Sequence, residues 1–414
     1  MSEAVFGRTR RMSAVGLVAF SSGLPLAFST GTLQAWMTDS GLDNKLIGLA
    51  TLAGWAYTLK PLWAPALDRF ALPVLDRRRG WILAMQLLLL LLCSGLALQN
   101  PAQNPYLVLG LVVLIASVSA TQDIAIDAYR TVLLPANERG LGASFAVTGG
   151  RLALLLSGGV ALILADQIGW QYTLLLLSWL FAPLALFTCF APRAPEAFLP
   201  PRTFQESVVA PLREILQRPQ IKIMLSIVLL YKFGDAIAQG MMSTFLLRDL
   251  GFSKTEVGSI NKVFGLAATI VGALAGGALM LKLRLRTALL FFGMLQGLTN
   301  LGYVALASAD KSLGILTAVV AAENLTAGMG TAAFLGFLTA LTNQRFSAFQ
   351  FALLSALFSL GRVIAGPVTV SLVPITGWPW FFALTAIMSL PALALIAGNA
   401  SAFENLESPD KPTG

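Results

Sequence analysis

Two carboxylates four residues apart, Asp123 and Asp127, stand at the end of an apolar run, 107–120, whose composition suits hydrocarbon. Four residues of helix turn the direction by about 40°, so Ser119, Asp123 and Asp127 form one polar stripe. Carboxylates at membrane depth are costly and normally face a bundle interior or a water-filled path. Two so close in a low dielectric titrate as a pair, which is the behaviour a proton-coupling element needs. The chain has no histidine, so proton exchange near neutral pH falls on carboxyl groups. Glu323, alone in another apolar run, is a second candidate for that role. The bases in such runs are Lys60, Arg151, Lys232, Lys262 and Arg362, with Asp235 three residues after Lys232. Together with Gln34, Tyr57, Gln122, Gln239 and Asn324 they are the candidate substrate-binding groups. Other roles stay open for each. Lys232 and Asp235 are spaced to neutralise one another on one helix. Arg151 and Arg362 could equally be structural partners of Asp123, Asp127 or Glu323, and Lys60 and Lys262 could snorkel toward the two faces. The amides could serve only as helix-packing hydrogen bonds.

The elements that must position these groups follow from composition. Of 414 residues, 56% are hydrophobic and 12% charged, with a mean hydropathy of +0.76, which excludes a soluble globular class. Runs long enough to cross a bilayer as helices recur along the whole length. Twelve are predicted, at 13–37, 45–65, 81–98, 106–130, 140–165, 170–190, 221–247, 257–281, 287–307, 313–341, 349–373 and 378–396. Cytoplasmic termini put Arg77, Arg78, Arg79, Arg139, Arg202 and Arg345 inside and leave Lys45, Arg248, Lys254 and Lys311 outside. That asymmetry accounts for much of the net charge of +8 without invoking nucleic acid. Cys93 and Cys189 lie in apolar runs and suggest neither a disulfide nor a metal site, and no cleavable signal peptide is expected.

The long polar connection sets the domain order: a first bundle over 1–191, a linker over 192–220, a second bundle over 221–398 and a disordered cytoplasmic tail over 399–414. Within the linker, Thr203-Phe-Gln-Glu206 has the form of a capping box. Phe204, Val208, Leu212, Ile215 and Leu216 then recur at helical spacing, predicting a short interfacial helix. The halves resemble one another. Asp39-Ser-Gly41 answers Asp249-Leu-Gly251 at an offset of 210, and Gly150-Arg151 answers Gly361-Arg362 at 211. Two parallel six-helix repeats are the layout of the major facilitator fold, so the fold class is all-α, with twelve transmembrane helices in two pseudo-symmetric bundles. The intramembrane charges fall in runs two, four, five, seven, eight, ten and eleven, and spare three, six, nine and twelve, the runs expected to face lipid.

Between the second and third runs, Leu67-Asp68-Arg69-Phe70 and Asp76-Arg77-Arg78-Arg79-Gly80 look like the G-x-x-x-D-R-x-G-R-R signature of the major facilitator superfamily, with a longer insert and no leading glycine. The signature implies an Asp68–Arg69 gate, with Arg77 in the basic tail and Arg139 in the corresponding four-to-five loop. The stretches 20–26, 31–37, 63–69, 77–81, 119–129 and 134–140 are, further, similar to the AmpG muropeptide permeases. That resemblance implies an inner-membrane carrier of Gram-negative bacteria that imports N-acetylglucosaminyl-1,6-anhydro-N-acetylmuramyl peptides from periplasm to cytoplasm, and a monomer is the expected state. Protons drive the import, and membrane lipid, muropeptide and protons are the partners, with no cofactor. It makes Gln122, Asp123 and Asp127 functional residues. The fold itself equally admits a carrier of another organic anion, an acetyl-CoA-like substrate, or drug efflux. An intramembrane enzyme of the diphosphate-binding kind needs a second acid-rich cluster, which this sequence lacks.

Overall fold

The computed structural model describes residues 2–28, 31–195, 198–309 and 311–407, and every regular element among them is helical. They form two compact units, one of Met1–Pro135, Thr148–Arg213 and Thr342–Ala356, the other of Ala136–Val147, Glu214–Leu341 and Leu357–Gly414. Each unit includes one segment, 342–356 or 136–147, that the expected chain-order division assigned to the other half.

In the first unit α1 (Ser2–Phe28) and α2 (Gly31–Asp39) occupy the first run, which starts eleven residues earlier than expected. The second run is a chain of short pieces, α3 (Asn44–Ala50), α4 (Trp55–Leu59) and α5 (Ala64–Arg69), joined by 3-10 turns at Thr51–Gly54 and Lys60–Leu62. Pro61 and Pro65 each remove a backbone donor, so no continuous ladder survives there. Next, α6 (Arg77–Ala97) is capped by Asp76, whose carboxylate accepts the Arg79 N–H at 3.2 Å. Pro105, harmless in a first turn, opens α7 (Pro105–Leu133). Helix α8 (Arg139–Leu154), which belongs to this unit from Thr148 onward, passes through a π turn at Leu155–Val160 into α9 (Ala161–Ile168), and α10 (Trp170–Trp179) and α11 (Phe181–Phe190) follow. Their core gathers Leu24, Trp36, Leu89, Ile115 and Phe181. Helices α1 and α8 touch backbone to backbone, since a Cβ on Gly149 would lie 2.2 Å from the Gly16 carbonyl oxygen.

Half of the capping box forms, with Thr203 Oγ1 accepting the Glu206 N–H, while the Glu206 carboxylate accepts the N–H of Arg202 at 2.8 Å, one residue before the Thr203 N–H that the motif calls for. It leads through a π turn, Gln205–Val209, into α12 (Ala210–Gln217), which buries Ile215 and exposes Leu216.

The second unit opens on a broken run: α13 (Ile221–Leu230), α14 (Phe233–Gly240), α15 (Met242–Thr244) and a π turn at Phe245–Asp249. After α16 (Lys254–Glu256) and a π turn at Val257–Phe264 come α17 (Gly265–Leu279), α18 (Leu285–Ser308) and α19 (Leu313–Leu341). Helix α20 (Ser347–Ile387) bends at Gly377, and α21 (Leu390–Gly398) and α22 (Ala400–Glu407) complete the chain. The expected disordered tail therefore begins as a helix that buries Ala402 and Phe403, while 408–414 lie outside the described residues. Ile237, Phe245, Tyr303, Leu316 and Phe382 form this unit's core.

Eight helices among the described residues are long and apolar enough to cross a membrane, and one of them, Gln344–Gly398, spans 55 residues and holds two of the expected runs. The first, second and seventh runs are not among the eight. Side chains such as Leu91 and Phe190, both 69% exposed, leave outward surfaces apolar, as contact with lipid requires. The repeat extends to the backbone. Gly41 (φ 76°) matches Gly251 (φ 66°), and Gly169 (φ 80°) matches Gly377 (φ 69°).

Candidate functional site

The polar stripe of α7 faces the broken second run. Tyr57 donates to Ser119 Oγ at 2.7 Å, Lys60 Nζ donates to Asp123 Oδ2 at 2.5 Å and stands 3.9 Å from Asp127, and the Trp63 indole donates to Thr121. The 3-10 turn that begins at Lys60 brings its ammonium onto the stripe, and the side chain is buried. The snorkelling role for Lys60 is thereby overturned. From α1, Ser22 donates to Asp123 Oδ1 at 2.9 Å, while Ser21 Oγ accepts from Gln122 at 2.5 Å and from Gln86 at 3.0 Å. Arg130, one turn beyond Asp127, donates to it at 2.9 Å. The cluster thus contains two carboxylates and two cations, balanced when both acids are ionised, and Asp123 is the more open of the pair with 27% of its side chain exposed.

A second polar cluster lies within the second unit. Glu323 of α19 accepts from Gln239 of α14 at 3.0 Å, and the fully buried Tyr303 hydroxyl of α18 adjoins both. Lys232, at the break between α13 and α14, donates to Gln296 at 2.7 Å and to the Ala327 carbonyl at 3.3 Å, and stands 3.6 Å from Asp235. Asn324 bonds to Thr269 and to the Val320 carbonyl, which is helix packing. Arg362 is exposed, 6.0 Å from the Phe358 ring. Arg151 on α8 and Gln34 on α2 are half-buried, and the side chain of Lys262 lies outside the described part. The bases seen to pair with Asp123 and Asp127 are Lys60 and Arg130.

The predicted gate is re-partnered. Asp68 pairs with Arg78 at 2.6 Å, and its two oxygens accept the N–H groups of Ala348 (3.2 Å) and Phe349 (2.9 Å) at the start of α20. Arg78 also donates to Ser347 Oγ. Arg77 donates to the Asp68 backbone carbonyl at 2.7 Å, and Arg69, the expected partner, lies against the Phe70 ring. The anionic side chain therefore sits at the positive end of a helix, where free N–H groups want an acceptor. Arg139 is half-buried at the head of α8.

Three sets of residues were not singled out in the sequence. Arg130 sits at i+3 from Asp127, so the stripe itself pointed to it. Gln296, Asn300 and Tyr303 fall at i, i+4 and i+7 on a run expected to face lipid, and all three are buried. Ser21 and Ser22, which carry the contacts from α1, have no such spacing signal.

An all-helical chain whose membrane runs repeat in two halves, with ion pairs buried inside each half, has the build of a secondary transporter. The chain belongs to the Major Facilitator Superfamily, matching that family's profile over residues 15–234 and 224–412. Over 387 residues it is 47% identical to the anhydromuropeptide permease of Escherichia coli (strain K12), covering 93% of this chain and 79% of that protein. Among solved structures, the human organic anion transporter MFSD10 (TETRAN) superposes with a TM-score of 0.72 at 15% identity, covering 94% of this chain and 99% of that one. The transporter FucP in the outward conformation superposes with a TM-score of 0.70 at 14% identity, covering 94% and 98%. These two likenesses bear on the fold alone.

Proposed function

We propose that this chain imports anhydromuropeptides, N-acetylglucosaminyl-1,6-anhydro-N-acetylmuramic acid and its peptides, across the bacterial inner membrane into the cytoplasm, together with protons. The observation that carries the reading is Lys60 held between Asp123 and Asp127. With both acids ionised the cluster is neutral. A proton on the more open Asp123 leaves a net positive charge and releases the Lys60 ammonium. That ammonium, with Tyr57 on the same stripe, is then suited to a peptide carboxylate and sugar hydroxyls, and Gln34 of the same unit is a further candidate contact. Protonation and anion binding thus favour one another, as symport requires. The relative's name supports the substrate class, and Glu323 with Gln239 is the counterpart proton site in the second unit. The test is uptake of labelled anhydromuropeptide into vesicles with and without a proton gradient. Gradient-driven accumulation is expected for the native chain and should be lost in Asp123→Asn. Unchanged accumulation by Asp123→Asn and Asp127→Asn overturns the coupling, and absence of any uptake by the native chain overturns the substrate.

A further inference from the structure

We propose that the second unit holds a resident internal water between α14, α18 and α21, hydrogen-bonded to Asp235, Gln296 and Asn300. A small cavity lies there, bounded also by Tyr231, Ser389 and Leu393. Three buried polar atoms around it, Asp235 Oδ1, Gln296 Nε2 and Asn300 Oδ1, have no hydrogen-bond partner among the described residues. Gln296 and Asn300 are 5% and 2% exposed, so bulk solvent does not satisfy them, and a buried polar atom without a partner costs about 1–3 kcal/mol. Beside the cavity two glycines let α18 pack closely on α21. A Cβ on Gly293 would lie 2.7 Å from Leu393 and one on Gly297 2.8 Å from the Ser389 hydroxyl.

The donor and acceptor count selects the ligand. Two of the unpaired atoms are acceptors and the third is an amide N–H donor, since Gln296 Oε1 is taken by Lys232. A water gives its two hydrogens to Asp235 and Asn300 and accepts one from Gln296, within the two to four partners that buried waters have. A metal cation would face the Gln296 amide hydrogens and the Lys232 ammonium, which is 3.6 Å from Asp235, so cation binding is disfavoured. The water completes the coordination of a charged pair that is otherwise loosely held at the break between α13 and α14.

Hydroxyl-radical footprinting by X-ray water radiolysis tests this on the purified full chain in detergent. Tyr231 and Leu393 should be oxidised several-fold faster, after correction for intrinsic reactivity, than Phe292, which is fully buried on α18. Gly297→Ala, whose methyl would press the Ser389 hydroxyl at the cavity wall, and Asn300→Leu, which removes one acceptor, should each abolish the excess while the protein still elutes as a folded monodisperse species. Labelling of Tyr231 no faster than Phe292 would mean a dry cavity and overturn the proposal. A rise of thermal midpoint in sodium over choline chloride that disappears in Asn300→Leu would overturn it in favour of a cation.

Discussion

Lys60 Nζ approaches Asp123 Oδ2 to 2.5 Å while its side chain is only 7% exposed, so the ammonium has almost no water to fall back on. Removing one partner of such a pair strands the other, at about 3–5 kcal/mol for a fully buried pair, whereas removing both is close to neutral. Because Asp123 keeps some exposure, the lower end applies. Lys60→Gln should therefore lower the thermal midpoint by several degrees and reduce vesicle uptake at least about tenfold, equivalent to about 1.4 kcal/mol. In Lys60→Gln/Asp123→Asn the midpoint should recover and uptake should not. Additive losses of midpoint in the double variant would show that the two charges are not coupled.

The Asp68 carboxylate caps α20 as well as pairing with Arg78. Loss of a capping acceptor costs about 0.5–2 kcal/mol, felt first by the amides that lose it. Asp68→Ala should raise hydrogen exchange at Ala348 and Phe349 by about tenfold, the equivalent of about 1.4 kcal/mol. Arg69→Ala should leave both amides as they are, because Arg69 rests on Phe70. Equal effects of the two substitutions would return the gate to the Asp68–Arg69 pair.

Much of this was legible in the sequence because the signals were large and local. Apolar runs report membrane helices by length alone, and a spacing of four reports one helix face, so the Ser119–Asp123–Asp127 stripe could be read directly. Which base meets which acid could not, because Lys60 reaches the stripe only through the 3-10 turn at Lys60–Leu62, and a broken ladder shifts the angle of every following side chain. The choice of Arg78 over Arg69 for Asp68 has the same origin. It depends on the fold of the irregular 70–76 segment, where Leu75 takes a positive φ of 61°. The buried amides of α18 carry no formal charge, so nothing in the charge pattern of the sequence sets their run apart from one that faces lipid.

The paired glycines separate two kinds of backbone constraint. At Gly41 the helix ends in a Schellman turn, with the Leu42 N–H on the Met37 carbonyl at 3.1 Å and the Gly41 N–H on the Thr38 carbonyl at 3.0 Å. Alanine at such a left-handed position costs about 1 kcal/mol. Gly169 (φ 80°, ψ 161°) and Gly377 (φ 69°, ψ 167°) lie in a region essentially reserved for glycine, where a side chain costs about 1–3 kcal/mol. Gly169→Ala and Gly377→Ala should thus lower the thermal midpoint more than Gly41→Ala. The reverse order in thermal unfolding would mean that the two later turns relax around the new side chain.

Glu256 accepts the Ser253 N–H at 2.6 Å and lies 3.2 Å from Lys311 Nζ, which itself donates to the Gly251 carbonyl. The backbone bond from Ser253, then Lys311, hold the Glu256 carboxyl below its ordinary value of 4.5. A depressed folded-state value means the contribution to stability is fully present above the ordinary value and is lost as pH falls through the depressed one. The gap in thermal midpoint between the native chain and Glu256→Gln should therefore be constant from neutral pH down to about 5.5 and close below 4.5. Salt should narrow the gap only in part, because it screens the Lys311 attraction and not the Ser253 bond. Lys311→Gln should likewise shrink the gap without abolishing it. A gap as wide at pH 3 as at neutral pH would show that the Glu256 contribution does not depend on its charge.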